Sequence, residues 1–340
     1  MGDEMLSERN RKKKSAAILW GLALLLAASV LLGLCLGSSS VSPLAVLEAI
    51  ACGDKQSAAY RIMLYSRLPR VLGAVMAGSA LAVAGAILQA VLHNPLASPN
   101  TIGVNNGAGL FVLLCSALFP AMEHILPLAA FLGALFTALV VFALAKGSGV
   151  SRITLVLAGV AMSSVLGAGM NCIMILYPDA YIGASTFLVG GLSAMTMKRL
   201  HFACGYITLG LIGAMLLRRD MNIMALGEDT ARSLGMSVTR TRFLLILTAA
   251  VLVGAAVSFA GMVGFVGLIV PHVFRFLVGH DNRRLVPCCA LGGAAFVTLC
   301  DLMARTAFSP YELPVGILLS FIGGPFFIYL IICSKRNQHD

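Results

Sequence analysis

Charge is scarce in this sequence. Only 11% of its 340 residues are Asp, Glu, Lys or Arg, against 59% hydrophobic residues. A water-soluble fold with that balance would lack the polar surface needed to stay dispersed, so the solvent is a bilayer. No GxxxxGK[ST] stretch occurs, so the chain carries no phosphate-cradling loop of its own. HExxH, paired carboxylates and Ser/His arrangements at a plausible depth are missing as well, and no catalytic, cofactor or metal site is expected. The nine cysteines (35, 52, 115, 172, 204, 288, 289, 300 and 333) show no CxxC spacing, which excludes a disulfide framework and leaves them as small packing residues. Soluble domains and low-complexity linkers are absent too.

Ionisable residues within apolar runs are few: His272, Arg275 and Asp301. An ion-coupled carrier generally needs acidic or histidine groups near the midplane, so this scarcity weighs against that class. The net charge of +10 could suggest nucleic acid. Its lysines and arginines are scattered between apolar spans without interleaved aromatics, however, so nucleic-acid binding is not expected.

What the chain does have is apolar length. A spanning helix takes ~20 apolar residues, because lipid offers no partner to a backbone N–H or C=O. Ten runs qualify, near 16–36, 70–92, 101–119, 125–145, 152–176, 200–217, 241–262, 265–279, 285–305 and 312–332. The eighth is short and reads as a partial span. The first follows Arg11, Lys12, Lys13 and Lys14 as a secretory leader would, but it exceeds the ~7–15 residues of a cleaved apolar core and is expected to remain as a helix. With the N-terminus inside, 17 Lys and Arg fall on the cytoplasmic side and seven outside, so both termini are expected in the cytoplasm. The expectation is an all-α, polytopic chain forming one transmembrane unit over 1–340. It has a basic tail at 1–14 and a cytoplasmic loop at 218–242. Pro43 to Cys52 and Tyr181 to Met195 read as short helices on the outer surface. The 35 glycines cluster in runs such as Gly103 to Gly109 and Gly261 to Gly267, which suit close helix approach or a wide passage.

Two loops draw attention. Within 218–242, Glu228 and Asp229 sit where a helix N-terminus favours anions, Arg232 sits toward its C-terminal end, and Gly235 can supply a left-handed cap. A short amphipathic helix or a solvated connector both fit. On the outer side, Arg67 and Arg70 flank Pro69 ahead of the second span. Arginines there run against the usual bias and suit recognition of acidic groups, although interface snorkelling, or an Asp301–Arg305 pair one helical turn apart, serves equally well.

Six stretches in order carry a resemblance: Arg67-Leu68-Pro69-Arg70, Asn94-Pro95-Leu96-Ala97, Gly103 to Gly109, the 226–235 segment, Gly264 to His272, and Glu312-Leu313-Pro314-Val315-Gly316. Together they resemble the FecCD-type permeases of bacterial ABC importers for ferric siderophores, haem and cobalamin, over nearly the whole chain. The resemblance implies a ten-helix subunit of the cell membrane, working as a homodimer or pseudo-symmetric heterodimer around a central path. Its implied partners are separate ABC ATPase subunits, an extracytoplasmic substrate-binding protein and a second permease copy, with a ferric siderophore or related chelate as cargo. It further implies ATPase coupling through Gly227, Glu228, Asp229, Ala231, Arg232, Leu234 and Gly235. Docking of the binding protein falls to Arg67, Arg70 and Arg305, and a cytoplasmic gate to Asn94 and Leu96. The basic tail departs from the family pattern and is expected to be a solvated anchor.

Overall fold

The computed structural model describes residues 2–37, 57–147 and 151–336, and no strand occurs among them. Among the described residues twelve α-helices follow in order: α1 Gly2–Cys35, α2 Ala58–Leu92, α3 Val104–Leu118, α4 Leu126–Gly147, α5 Arg152–Leu176, α6 Pro178–Val189, α7 Met197–Ala225, α8 Glu228–Ser233, α9 Val238–Ala260, α10 Val266–Val278, α11 Asn282–Thr306 and α12 Val315–Arg336. Seven are long and apolar enough to cross a membrane, and α3, α10 and α12 supply shorter apolar helices. Ten elements thus match the ten apolar runs, while α6 and α8 are short and lie between spans.

Burial sorts the helices. Some 78% of the most apolar window of α2 is buried, with 72% for α11 and 67% for α9, against 17% for α1 and α5. The core is therefore α2 wrapped by α11, α9, α7 and α10, while α1 and α5 turn most of their apolar surface outward. Small residues let the core close up. Gly78 of α2 lies against Gly293 of α11, and Gly85 of α2 against Gly267 of α10, so that a Cβ at Gly78 or Gly85 would overlap the facing carbonyl. Without a hydrophobic force between helices in lipid, such backbone approach supplies the attraction, and at these positions glycine serves packing.

Several boundaries differ from the sequence reading, each for a local reason. The second span begins at Ala58 instead of residue 70, because a π turn at Met63–Arg67 carries the helix into Leu68–Leu92. Its wider turn accommodates Pro69, which has no N–H to give, within a continuous helix. The sixth span runs over Met197–Ala225, beyond the expected 200–217. Arg218, Arg219 and Asp220 end the apolar run but break no helix, and the first breaker after them is Gly227. The expected 218–242 loop accordingly shrinks to the residues around α8. The surface helix expected at Tyr181 to Met195 is instead Pro178–Val189, started by proline in its first turn and stopped by Gly190 at φ 79°. Ala180 and Ala184 are buried on its inner side, while Tyr181, Ile182 and Val189 stay exposed, as befits a surface helix. Pro43 to Cys52 lies outside the described residues. The partial eighth span is α10, 13 residues or roughly 20 Å at 1.5 Å per residue.

Candidate functional site

Two ends of the bundle collect the charged residues that the spans exclude. At one end Arg70 of α2 reaches across to α11, where its Nε donates to both carboxylate oxygens of Asp301 at 3.0 Å. Its Nη1 donates to Glu312 Oε2 at 2.5 Å, tying in the segment before α12. Arg305 sits one turn beyond Asp301, with its Nε 3.7 Å from the same carboxylate. Its Nη2 donates to the Gly33 carbonyl of α1 at 2.6 Å. Arg67, in the π turn, donates through Nη1 to the Leu34 and Cys35 carbonyls at 3.0 and 2.8 Å. Arg67, Arg70 and Arg305 are only 3%, 7% and 2% exposed, and Asp301 1%. In this conformation the three guanidinium groups are turned into the bundle, toward the α1 carbonyls, Asp301 and Glu312. Of the two other readings of this cluster, the pair of Asp301 and Arg305 one helical turn apart is present, while snorkelling of the arginines to the interface is not.

At the other end, α8 is the amphipathic turn read from the sequence. Gly227 precedes it at φ 106° and Gly235 follows at φ 81°, backbone conformations that favour glycine. Glu228 is the anchor. Its Oε1 accepts from Arg242 Nη2 of α9 at 2.6 Å and lies 3.7 Å from Arg152 Nε of α5, while its Oε2 lies 3.4 Å from Arg232 Nη2. Ala231 is fully buried beneath the turn. Leu226 and Leu234, each 62% exposed, stand out on either side of it, and the Asp229 side chain is fully exposed. The turn thus exposes two apolar side chains on either side of an acid.

At this same end α2 terminates beside α7. His93 takes the left-handed C-cap at φ 47°, Asn94 N donates to Gln89 O at 3.2 Å, and Asn94 Oδ1 accepts from Leu96 N at 2.9 Å. Asn94 is exposed and Leu96 half-buried at the tip of this tight turn. The turn is fastened to α7: the Nε2–H of His93 donates to the Met224 carbonyl at 2.6 Å. Burial holds the His93 imidazole below its ordinary pKa of 6.5, and the charges of Arg152 and Arg242 push the same way against the Met224 hydrogen bond. Further inside, Gln89 donates through Nε2 to the Gly267 carbonyl at 3.2 Å and accepts from Arg275 Nη1, which locks α10 to α2.

The structure thus gathers Arg67, Arg70 and Arg305 into one cluster and Gly227 to Gly235 into one turn, with Asn94 and Leu96 on a neighbouring turn. Sequence reasoning missed the partners. Glu312 was visible only as part of a motif, and Arg242 only as the basic start of a span. Gln89, the buried amide of an otherwise apolar stretch of α2, was the one clear signal for the α10 lock. Among the described residues, no three His, Cys, Asp or Glu side chains are grouped to hold a metal ion.

Residues 24–333 match the model of the FecCD transport family. The Fe(3+)-citrate import system permease protein YfmE of Bacillus subtilis (strain 168) is 35% identical over 331 residues, covering 97% of this chain and 98% of that protein. The ferric enterobactin transport system permease protein FepD of Escherichia coli (strain K12) is 39% identical over 322 residues, 93% of this chain and 95% of the other. The hemin transport system permease protein HmuU of Yersinia pestis is 36% identical over 312 residues, 90% and 93% of the two chains. A solved structure described as an inward-facing conformation of a metal-chelate type ABC transporter superposes with a TM-score of 0.83 at 30% identity, covering 93% of this chain and 99% of that one.

Proposed function

The chain belongs to the FecCD transport family, and we propose that it forms the membrane path through which an ATP-driven importer carries ferric siderophores or closely related iron chelates. It is a multi-pass membrane protein and a permease subunit of an ABC importer. The observation that carries the substrate reading is the end-to-end match to permeases whose names specify ferric citrate, ferric enterobactin and hemin. Haem and cobalamin are the alternative cargoes, and an ion-coupled carrier is the rival mechanism.

In this reading 1–340 is a single transmembrane unit with both termini in the cytoplasm. Two copies, or one copy and a homologue, enclose the path, and the outward apolar surface of α5 is available for such a partner. ATP is hydrolysed by separate subunits that receive α8 and its flanking Leu226 and Leu234. An extracytoplasmic binding protein docks over the end holding Arg67, Arg70 and Arg305. ATP-driven closure of the ATPases moves α8, and the His93–Met224 hydrogen bond passes that movement to the Asn94–Leu96 turn, which gates the path. A partner shifts such an equilibrium only as far as it binds the two states unequally, so α8 must be held differently in each.

The test is reconstitution in vesicles with candidate ATPase and siderophore-binding subunits. Uptake of iron-loaded siderophore that requires ATP and the binding protein is expected. Transport without an ATPase that collapses with an uncoupler would instead establish the secondary carrier. Preference for haem or cobalamin by the binding protein would reassign the cargo.

A further inference from the structure

The chain enters the bilayer abruptly. Five of the six residues from Arg9 to Lys14 are basic, and the apolar run follows directly on the same continuous helix, α1. Trp20, the single tryptophan of the sequence, lies six residues beyond Lys14, roughly 9 Å at 1.5 Å per residue, and is 73% exposed. An exposed indole so close to the charged end belongs to the interfacial layer, which puts Lys14 at the level of the lipid headgroups. Beside it α10 turns into α11 through Gly279, His280 and Asp281, with Gly279 at φ 82°. Between this corner and the start of α1 lies an open cleft of about 580 Å³, in the ~300–1,000 Å³ range of small-ligand sites. Lys14, His280 and Arg284 give it three basic side chains, and Leu277 an apolar wall. The acid in the wall is already engaged. Asp281 Oδ1 accepts from Asn222 Nδ2 at 2.6 Å and from Arg283 N at 3.0 Å, and its Oδ2 lies 3.9 Å from Arg284 Nε. Among the described residues the side chains of Lys14, His280 and Arg284 make no hydrogen bond, and Arg284 meets no acid closer than Asp281. Apolar surface continues from the cleft along α10, where Phe276 is 80% and Leu277 49% exposed.

We infer that this cleft binds the headgroup of an anionic phospholipid, with the phosphodiester meeting Lys14 and Arg284 and the acyl chains lying along Leu277 and Phe276. Basic side chains beside a membrane-spanning helix attract anionic lipid, and a pocket between helices turns that attraction into a defined site. A soluble phosphate could use the charges but not the apolar surface that adjoins them, so the occupant is a lipid. The site gives α1 a second hold. Only 17% of the apolar window of that helix is buried, and a lipid bridging Lys14 to Arg284 ties its first turn in the bilayer to the α10–α11 corner.

Native mass spectrometry of the purified, delipidated full-length chain, titrated with phosphatidylglycerol in detergent, tests it. One phosphatidylglycerol per chain is expected to be held under conditions where phosphatidylcholine is lost. Lys14→Gln and Arg284→Gln should each weaken binding about fivefold, the share of one basic side chain facing an anionic headgroup. Lys14→Glu reverses the charge at an exposed position and should weaken it about 25-fold, which keeps the test decisive if Arg284→Gln does not fold. Lys146→Gln, at the exposed end of α4, should change nothing. Equal retention of phosphatidylcholine, or an equal loss in Lys146→Gln, means a diffuse attraction to the interface and overturns the site. Displacement of the lipid by glycerol 3-phosphate at equal concentration makes this a site for soluble phosphate and overturns the lipid assignment. No ATPase or binding protein enters the measurement, so its result stands whether or not the importer reading holds.

Discussion

The imidazole of His93 donates to the main-chain carbonyl of Met224 at 2.6 Å, and the two residues flank the segments proposed to gate the path and to meet the ATPase. His93 opens the turn that carries Asn94 and Leu96, and Met224 stands two residues before the exposed Leu226. In the proposed mechanism, movement of α8 reaches that turn through this bond. His93→Ala is expected to leave ATP hydrolysis in the assembled importer intact while lowering cargo delivered per ATP. A neutral hydrogen bond of about 1 kcal/mol corresponds to a coupling loss of roughly fivefold. Uptake and phosphate release measured together in proteoliposomes check this, and equal uptake per ATP in the variant removes the bond from the mechanism.

The same histidine sets a pH dependence. Its pKa in the folded chain lies below 6.5, chiefly through burial, so the unfolded chain binds more protons as the pH falls through that range. The contribution of neutral His93 is fully present above about pH 6.5 and declines as the pH drops from there toward the lowered folded value. Melting temperature in detergent should fall over this window in wild type, and the His93 part of that fall should vanish in His93→Gln. An identical pH profile in the two proteins would rule out the titration.

How much of this was legible in the sequence depended on distance along the chain. Spans were readable because lipid demands ~20 apolar residues in a row, and the α8 turn because Gly227 and Gly235 bracket local charges. Boundaries slipped where polar residues stayed helical, as at Arg218 and Arg219, or where a π turn hid a proline. Of the pairings, only the local one of Asp301 with Arg305 was readable; the distant ones were not. Arg70 and Glu312 are 242 positions apart, and nothing local distinguishes an arginine that turns inward from one that faces a partner.

Glu228 is the hub of α8, and its charge is what the buried Arg242 meets. Glu228→Gln keeps the shape but weakens that contact, at an expected loss of about 1.5–3 kcal/mol for a hydrogen bond to a charged group, discounted because Glu228 is partly solvated. ATPase binding should weaken in step with the loosening of α8. Leu226→Ser with Leu234→Ser should weaken ATPase binding equally while leaving the melting temperature within about 1 °C, since both side chains are exposed. Thermal melts paired with pull-down of the ATPase separate the two effects, and a double Leu variant that binds normally would exclude this surface.

Asp301 allows the sharpest statement about stability, because its environment is almost closed. It is the shared counter-charge for Arg70 and Arg305, and both are buried with it. Asp301→Asn therefore leaves two buried cations facing one neutral amide, with Glu312 as the remaining acid in contact with Arg70. Removing one member of a buried ion pair typically destabilises by about 3–5 kcal/mol, because the partner stays uncompensated. Glu312→Gln should be much milder, since that side chain is 30% exposed and water can replace it. The decisive comparison is Asp301→Asn with Arg70→Met. Removing one of the two stranded charges along with the acid should recover part of the loss, so the double variant should melt above Asp301→Asn alone. If the two losses simply add, the carboxylate and guanidinium do not depend on each other, and the cluster is a set of separate contacts.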